Sequence, residues 1–99
     1  MIPNLDLKNG KVLFDDFNLP ETEALELHAD ELKEDMLQVE FPNGYILDIG
    51  WRPSFDLRGN FFAVVVKNFD WENPTYSAVA HNLTELRART EEALLTIPN

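Results

Sequence analysis

Ninety-nine residues, 44% of them hydrophobic and 11% aromatic, make a chain long enough for one core and too short for two. Eighteen acidic against eight basic side chains give a net charge of −10, which disfavours nucleic acid and anionic lipid as partners and favours basic proteins. No cysteine is present, so disulfides, thiolate nucleophiles and thiolate metal sites are excluded.

The charge is lopsided. Residues 1–40 carry eleven acidic and three basic side chains, whereas residues 41–99 carry seven and five, so the first part is at −8 and the rest at −2. Acidic surfaces also serve solubility alone, and the sign by itself does not decide between the two uses. The opening MIPNLDLKNGKVLF lacks the basic region and apolar run of a signal peptide, and no stretch approaches the roughly 20 apolar residues of a membrane span. A soluble, cytoplasmic, single domain over residues 1–99 is expected.

In chain order, Asn9-Gly10 lies between two short apolar runs and predicts a two-residue hairpin pairing Leu7 with Val12 and Leu5 with Phe14, although Lys8 would then face Lys11. Residues 18–35 are good helix formers, with Asn18 as N-cap, Pro20 in the first turn, Glu21 three residues on, and Leu25, Leu32 and Met36 on one face. The helical period there is weak, and Leu25 and Leu27 among glutamates also suit an edge strand.

Next, MLQVEFPNGYILDIGW is a hairpin whose register can be argued. A two-residue Asn43-Gly44 loop would scatter apolar residues over both faces. A three-residue Pro42-Asn43-Gly44 loop instead opposes Phe41 to Tyr45, Val39 to Leu47 and Leu37 to Ile49, all on one face. FFAVVVKNF has the composition of a central strand, apolar on both faces, which implies covers on both sides or one helix and one close loop. PTYSAVAH reads as a further strand whose start Pro74 confines to an edge or turn. The final helix has Asn82 as N-cap, Glu85 as the partner in a capping box, and Pro98 beyond its end. Leu83, Leu86, Thr90, Ala93, Leu94 and Ile97 form its apolar stripe. The fold class is therefore α+β: an antiparallel sheet of four or five strands with a C-terminal helix packed on one face.

Catalytic chemistry finds little support. His28 and His81 lie in different segments outside any ligand motif, and His28 reads as a solvated residue on an acidic stretch. Ser54 and Ser77 have no histidine at a motif spacing. Asp48, Asp56 and Asp70 lie near the sheet's loops and would make a small hydrolase or metal-dependent enzyme if they converged. Plainer readings make Asp56 and Asp70 turn residues and put Asp48 opposite Leu47 and Ile49 on the sheet, facing water or paired with Arg52. No motif implies a cofactor or metal, and the few basic residues are unclustered, against nucleic-acid binding. Trp51, Phe55, Phe69 and Trp71 gather near strand ends. We expect the tryptophans to plug the core; if exposed, they would be partner anchors.

Residues 32–76, LKEDMLQVEFPNGYILDIGWRPSFDLRGNFFAVVVKNFDWENPTY, followed by an Asn-capped helix, resemble small acidic immunity proteins of bacterial contact-dependent growth-inhibition and related polymorphic toxin systems. DIGWRP, a Gly-containing turn, a valine-rich strand and DWENP carry the likeness, which covers about half the chain. In such systems a toxin domain delivered into neighbouring cells, often a basic nuclease, is neutralised by a cytoplasmic immunity protein. The resemblance implies no enzyme activity and no catalytic residues. It implies a one-to-one complex of a monomer with the C-terminal domain of a cognate toxin. Candidate contacts are Asp15, Asp16, Glu21, Glu23, Asp30, Glu31, Glu34 and Asp35, with Trp51, Phe55 and Trp71 as aromatic anchors. A regulatory module for another basic protein is the further alternative.

Overall fold

The computed structural model describes residues 5–19 and 24–98. Five antiparallel strands follow one another in the sheet in chain order: β1 (Lys11–Asp15), β2 (Leu37–Glu40), β3 (Tyr45–Arg52), β4 (Asn60–Lys67) and β5 (Tyr76–Ala80). Helix α1 (Leu83–Leu95) packs on β4 and β5, completing the expected α+β architecture.

The β2–β3 hairpin has the register that its apolar pattern requires. Leu37 faces Ile49, Val39 faces Leu47, and the Phe41 amide donates to the Tyr45 carbonyl at 2.8 Å. Because side chains alternate, these residues all reach the α1 side, where Leu37, Val39, Leu47 and Ile49 are completely buried. The turn differs in detail from a type I turn with a left-handed glycine: Asn43 (φ 67°) and Gly44 (φ 81°) are both left-handed. Phe61, Ala63 and Val65 of β4 line the same core, and Leu86, Thr90, Ala93, Leu94 and Ile97 close it from above. Buried Thr90 satisfies its hydroxyl by donating to the Leu86 carbonyl at 2.7 Å. Asn82 caps α1 by accepting from the Glu85 amide at 2.8 Å, and Glu85 reaches back to the His81 amide at 3.0 Å, one residue earlier than a capping box prescribes.

Two expectations fail in the N-terminal part. The turn forms one residue earlier than expected, with Lys8-Asn9 rather than Asn9-Gly10 at its centre, the Gly10 amide donating to the Leu7 carbonyl at 2.9 Å, and it does not close a hairpin. β1 pairs with β2 instead, and Lys8, left-handed at φ 53°, carries its ammonium to the Leu94 and Ile97 carbonyls at 2.8 and 3.1 Å. The Leu94 carbonyl lies in the last turn of α1 and the Ile97 carbonyl just beyond its cap, at the negative end of the helix dipole, so the Lys8 ammonium holds the segment before the turn against α1 rather than along β1. Residues 18–35 form neither an α-helix nor an edge strand over the described part. They make 3-10 turns over Leu25–Glu31, broken at His28 (φ −130°, ψ 32°), while Pro20 and Glu21 of the expected cap lie outside the described residues. Leu32 and Met36 still reach the core, fully buried, because a short irregular segment satisfies their spacing as well as a helix would.

Among the described residues, no helix is long and apolar enough to cross a membrane.

Candidate functional site

The face of the sheet away from α1 is built by the other set of alternate residues. On β3 these are Ile46, Asp48, Gly50 and Arg52, and the pairings carry the row outward from Asp48 to Gln38 on β2 and Phe14 on β1. The chain just before β2 crosses this face. The Met36 amide donates to the Ile49 carbonyl at 3.1 Å and the Trp51 amide to the Lys33 carbonyl at 2.7 Å, so three steps along one chain oppose two along β3. The surplus residue bulges outward at Glu34–Asp35. Gly50 makes that possible, since a Cβ there would lie 1.9 Å from the Glu34 carbonyl oxygen. This segment covers β3 at Gly50; over the central strand β4 itself, the Arg52 guanidinium lies 4.0 Å above the Phe62 ring.

The bulge sets Asp35 beside Asp48. Phe14, Asp35, Gln38 and Asp48 line an open cavity of about 310 Å³. Partial burial, reinforced by the Asp35 charge and only partly offset by Arg52, pushes the Asp48 carboxyl up to about 6. The arrangement combines an aromatic wall, an amide and two carboxylates, one of which takes up a proton readily. Its charge suits a cationic guest.

Beside the cavity, at the same end of the sheet, lies most of the acidic segment. Asp16 and Lys33 form an ion pair at 2.6 Å, with Glu31 at 3.7 Å from the same ammonium, and the Lys33 hydrogen bond holds the Asp16 carboxyl below its usual range. Asp30, Glu34 and Asp35 are exposed, as is Asp15 at the end of β1. The β3–β4 loop backs onto this segment: the Phe55 amide donates to the Leu32 carbonyl at 2.7 Å and the Glu34 amide to the Ser54 hydroxyl at 3.1 Å.

The three aromatic candidates separate. Trp51 is a core residue, 2% exposed, edge-on to Phe61 at 4.8 Å, with its indole N–H satisfied by the Asp56 carbonyl at 2.8 Å. It has no surface to offer a partner, which corrects its place among the contacts and bears out its reading as a core plug. Phe55 points outward, 60% exposed. Trp71 is 46% exposed, against the expectation that both tryptophans plug the core, and with Phe69 it sits in the β4–β5 loop at the opposite end of the sheet. The four aromatics therefore do not form one cluster.

Asp48, Asp56 and Asp70 do not converge. Asp56 is held by Arg58 through two hydrogen bonds of 3.0 Å, Asp70 is bonded by the Asn73 amide at 3.3 Å, and β4 stands between their loops. Eight residues of strand span about 25 Å. No group of three His, Asp or Glu side chains suited to a metal occurs among the described residues. His28 is part-buried at the kink between its 3-10 turns, not fully solvated. Glu21 and Glu23 lie outside the described residues. Sequence reasoning missed Gln38 and Phe14 in the cavity. Gln38 was implicit in the β2–β3 register, which places it opposite Asp48; Phe14 was hidden by the hairpin reading that paired it with Leu5.

No protein-family model, curated protein or solved structure matches this chain.

Proposed function

We propose that this protein is an immunity protein, a monomer that binds the C-terminal domain of a cognate toxin one-to-one in the cytoplasm and neutralises it by binding rather than by catalysis. The observation that carries the reading is where the carboxylates stand. Asp35 and Asp48 line one cavity on the face away from α1, Glu34 is exposed beside Asp35, and Asp16 and Glu31 flank the nearby Lys33, with Asp30 exposed next in the chain. A nuclease that grips phosphates presents a cationic groove, and an acidic surface of this kind occupies or flanks it. Complementary charge raises the rate of encounter, from a neutral range of about 10⁵–10⁶ M⁻¹s⁻¹ toward about 10⁸ at low salt. The likeness of residues 32–76 to immunity proteins supports the same assignment.

The test is co-expression with the C-terminal domain of the toxin encoded beside it. Growth should be rescued, the purified pair should elute as a one-to-one complex, and association should slow as salt rises. Failure to rescue growth together with failure to form a complex would overturn the proposal.

A further inference from the structure

Phe55 breaks two rules at once. It is a bulky side chain held in the left-handed region at φ 62°, where glycine is the ordinary occupant, and it is 60% exposed, so its ring recovers little by burial. The surrounding bonds nevertheless fix it. Its amide donates to the Leu32 carbonyl at 2.7 Å, the preceding Ser54 hydroxyl accepts from the Glu34 amide at 3.1 Å, and the following Asp56 is held on both sides. The Asp56 carbonyl accepts from the Trp51 indole at 2.8 Å, and its carboxylate is gripped by Arg58 at 3.0 Å. Persistent backbone strain in an over-determined loop is a recurrent mark of a functional position. An exposed aromatic that needs no ordering on contact is also the kind of group that anchors interfaces.

Its neighbours say what kind of surface it meets. The two bonds to the 32–34 segment place the Phe55 backbone beside the run Asp30, Glu31, Glu34 and Asp35, with Lys33 already engaged by Asp16 and Glu31. Arg58 is likewise engaged by Asp56. An aromatic knob bordered by carboxylates is complementary to an apolar recess bordered by lysine and arginine.

We infer that Phe55 is the anchor of the complex, inserted into an apolar recess on the toxin domain whose rim of lysine and arginine pairs with Glu31, Glu34 and Asp35. The inference rests on the proposed function and adds the contact residue and the chemistry of the surface it enters.

Phe69 supplies an internal control. It too is left-handed (φ 60°) and 66% exposed, but it stands at the other end of the sheet, away from this acidic segment. The experiment measures affinity for the co-expressed toxin domain and thermal stability for the wild type, Phe55→Gly, Phe55→Ala and Phe69→Gly. Glycine relieves the strain at either position, so Phe55→Gly should keep or raise Tm while weakening binding on the order of thirtyfold or more. Phe55→Ala, which removes the ring and keeps a Cβ, should weaken binding to a similar degree. Phe69→Gly should bind within about threefold of wild type. Binding by both Phe55 variants within that same margin, a clear fall in Tm for Phe55→Gly, or equal losses at Phe69 would overturn the inference. In the double variant Glu34→Gln, Asp35→Asn, association should be slower and less sensitive to salt, and an unchanged salt dependence would overturn the charged rim. A wild-type protein that forms no complex overturns the proposed function and this inference with it, whereas a wild-type complex indifferent to Phe55 overturns only the inference.

Discussion

The two faces of the sheet are made from the same strands and do opposite things. On β3, Leu47, Ile49 and Trp51 enter the core under α1, while Asp48, Gly50 and Arg52 point to the other face, where the Glu34 carbonyl meets Gly50 and the Arg52 guanidinium stacks on buried Phe62. The period of two keeps these roles on separate residues, so one face can concentrate apolar contacts while the other holds charge at the expense of stability. The lesson is that core packing and surface charge can be perturbed independently, residue by residue, along one strand.

The largest effect should come from the covered face. Phe61→Ala removes a fully buried ring that touches both Trp51 and Phe17, at centroid distances of 4.8 and 6.5 Å. A loss of about 3–5 kcal/mol in urea unfolding is expected, against less than about 1 kcal/mol for Phe14→Ala, whose ring is 43% exposed on the other face. Equal losses would break the comparison. Gly50→Ala comes next, because its methyl group would meet the Glu34 carbonyl, a backbone atom that cannot rotate away. We expect a cost of about 1–3 kcal/mol, as for other forced overpacking. The bulge should also shift and carry Asp35 away from Asp48, which NMR titration of the Asp48 carboxyl would report as a pKa falling back from about 6.

Asp48 itself sharpens the contrast from the opposite side, since its removal should stabilise. Its pKa rises from 3.8 in the unfolded chain to about 6 in the fold. Below both values the group is protonated in both states and has no effect. Between them the folded state holds a proton that the unfolded state has released, so stability falls as pH rises, and above about 6 the full penalty applies. Asp48→Asn should therefore gain about 1–2 kcal/mol at pH 7–8, a figure discounted for solvent screening of a partly exposed carboxylate, and the gain should vanish near pH 4. Urea midpoints across that range would measure it. A gain independent of pH would show that the cavity carries no charge penalty.

How much of this was legible depends on how far each signal reaches along the chain. The β2–β3 register, the central β4 and the α1 stripe were readable because apolar period, turn residues and caps agree within about 15 residues. The open side of Asp48 followed from that register alone. The cavity was not readable, because it needs Gly50 to admit a carbonyl from residue 34 and Phe14 to arrive from β1, contacts with no local period. Phe55 stood out as aromatic in a turn, but nothing in SFDLRG announces a left-handed backbone, and the bond that its amide makes is to the Leu32 carbonyl, more than twenty residues away in sequence. Asn9-Gly10 was misleading for the converse reason: the turn forms one residue earlier, at Lys8-Asn9, and Lys8 is held at the distant end of α1, which no local signal announces.

That cation offers the smallest and most specific test of how the covered face is held. Lys8 donates to the Leu94 and Ile97 carbonyls, so it ties the first described segment to the end of the helix that closes the core. Lys8→Met keeps the side chain's length and the left-handed backbone while deleting the charge, so any change reads the charge at the helix C-terminus rather than relief of strain. A loss of about 0.3–1 kcal/mol is expected at low salt, shrinking as salt rises, because a helix dipole acts within one turn and is screened. Hydrogen exchange should localise the change to the last turn of α1 and leave Gln38 and Asp48 on the open face untouched. If protection were lost equally on both faces, Lys8 would be holding the whole sheet, and the separation of the two faces would fail at its N-terminal edge.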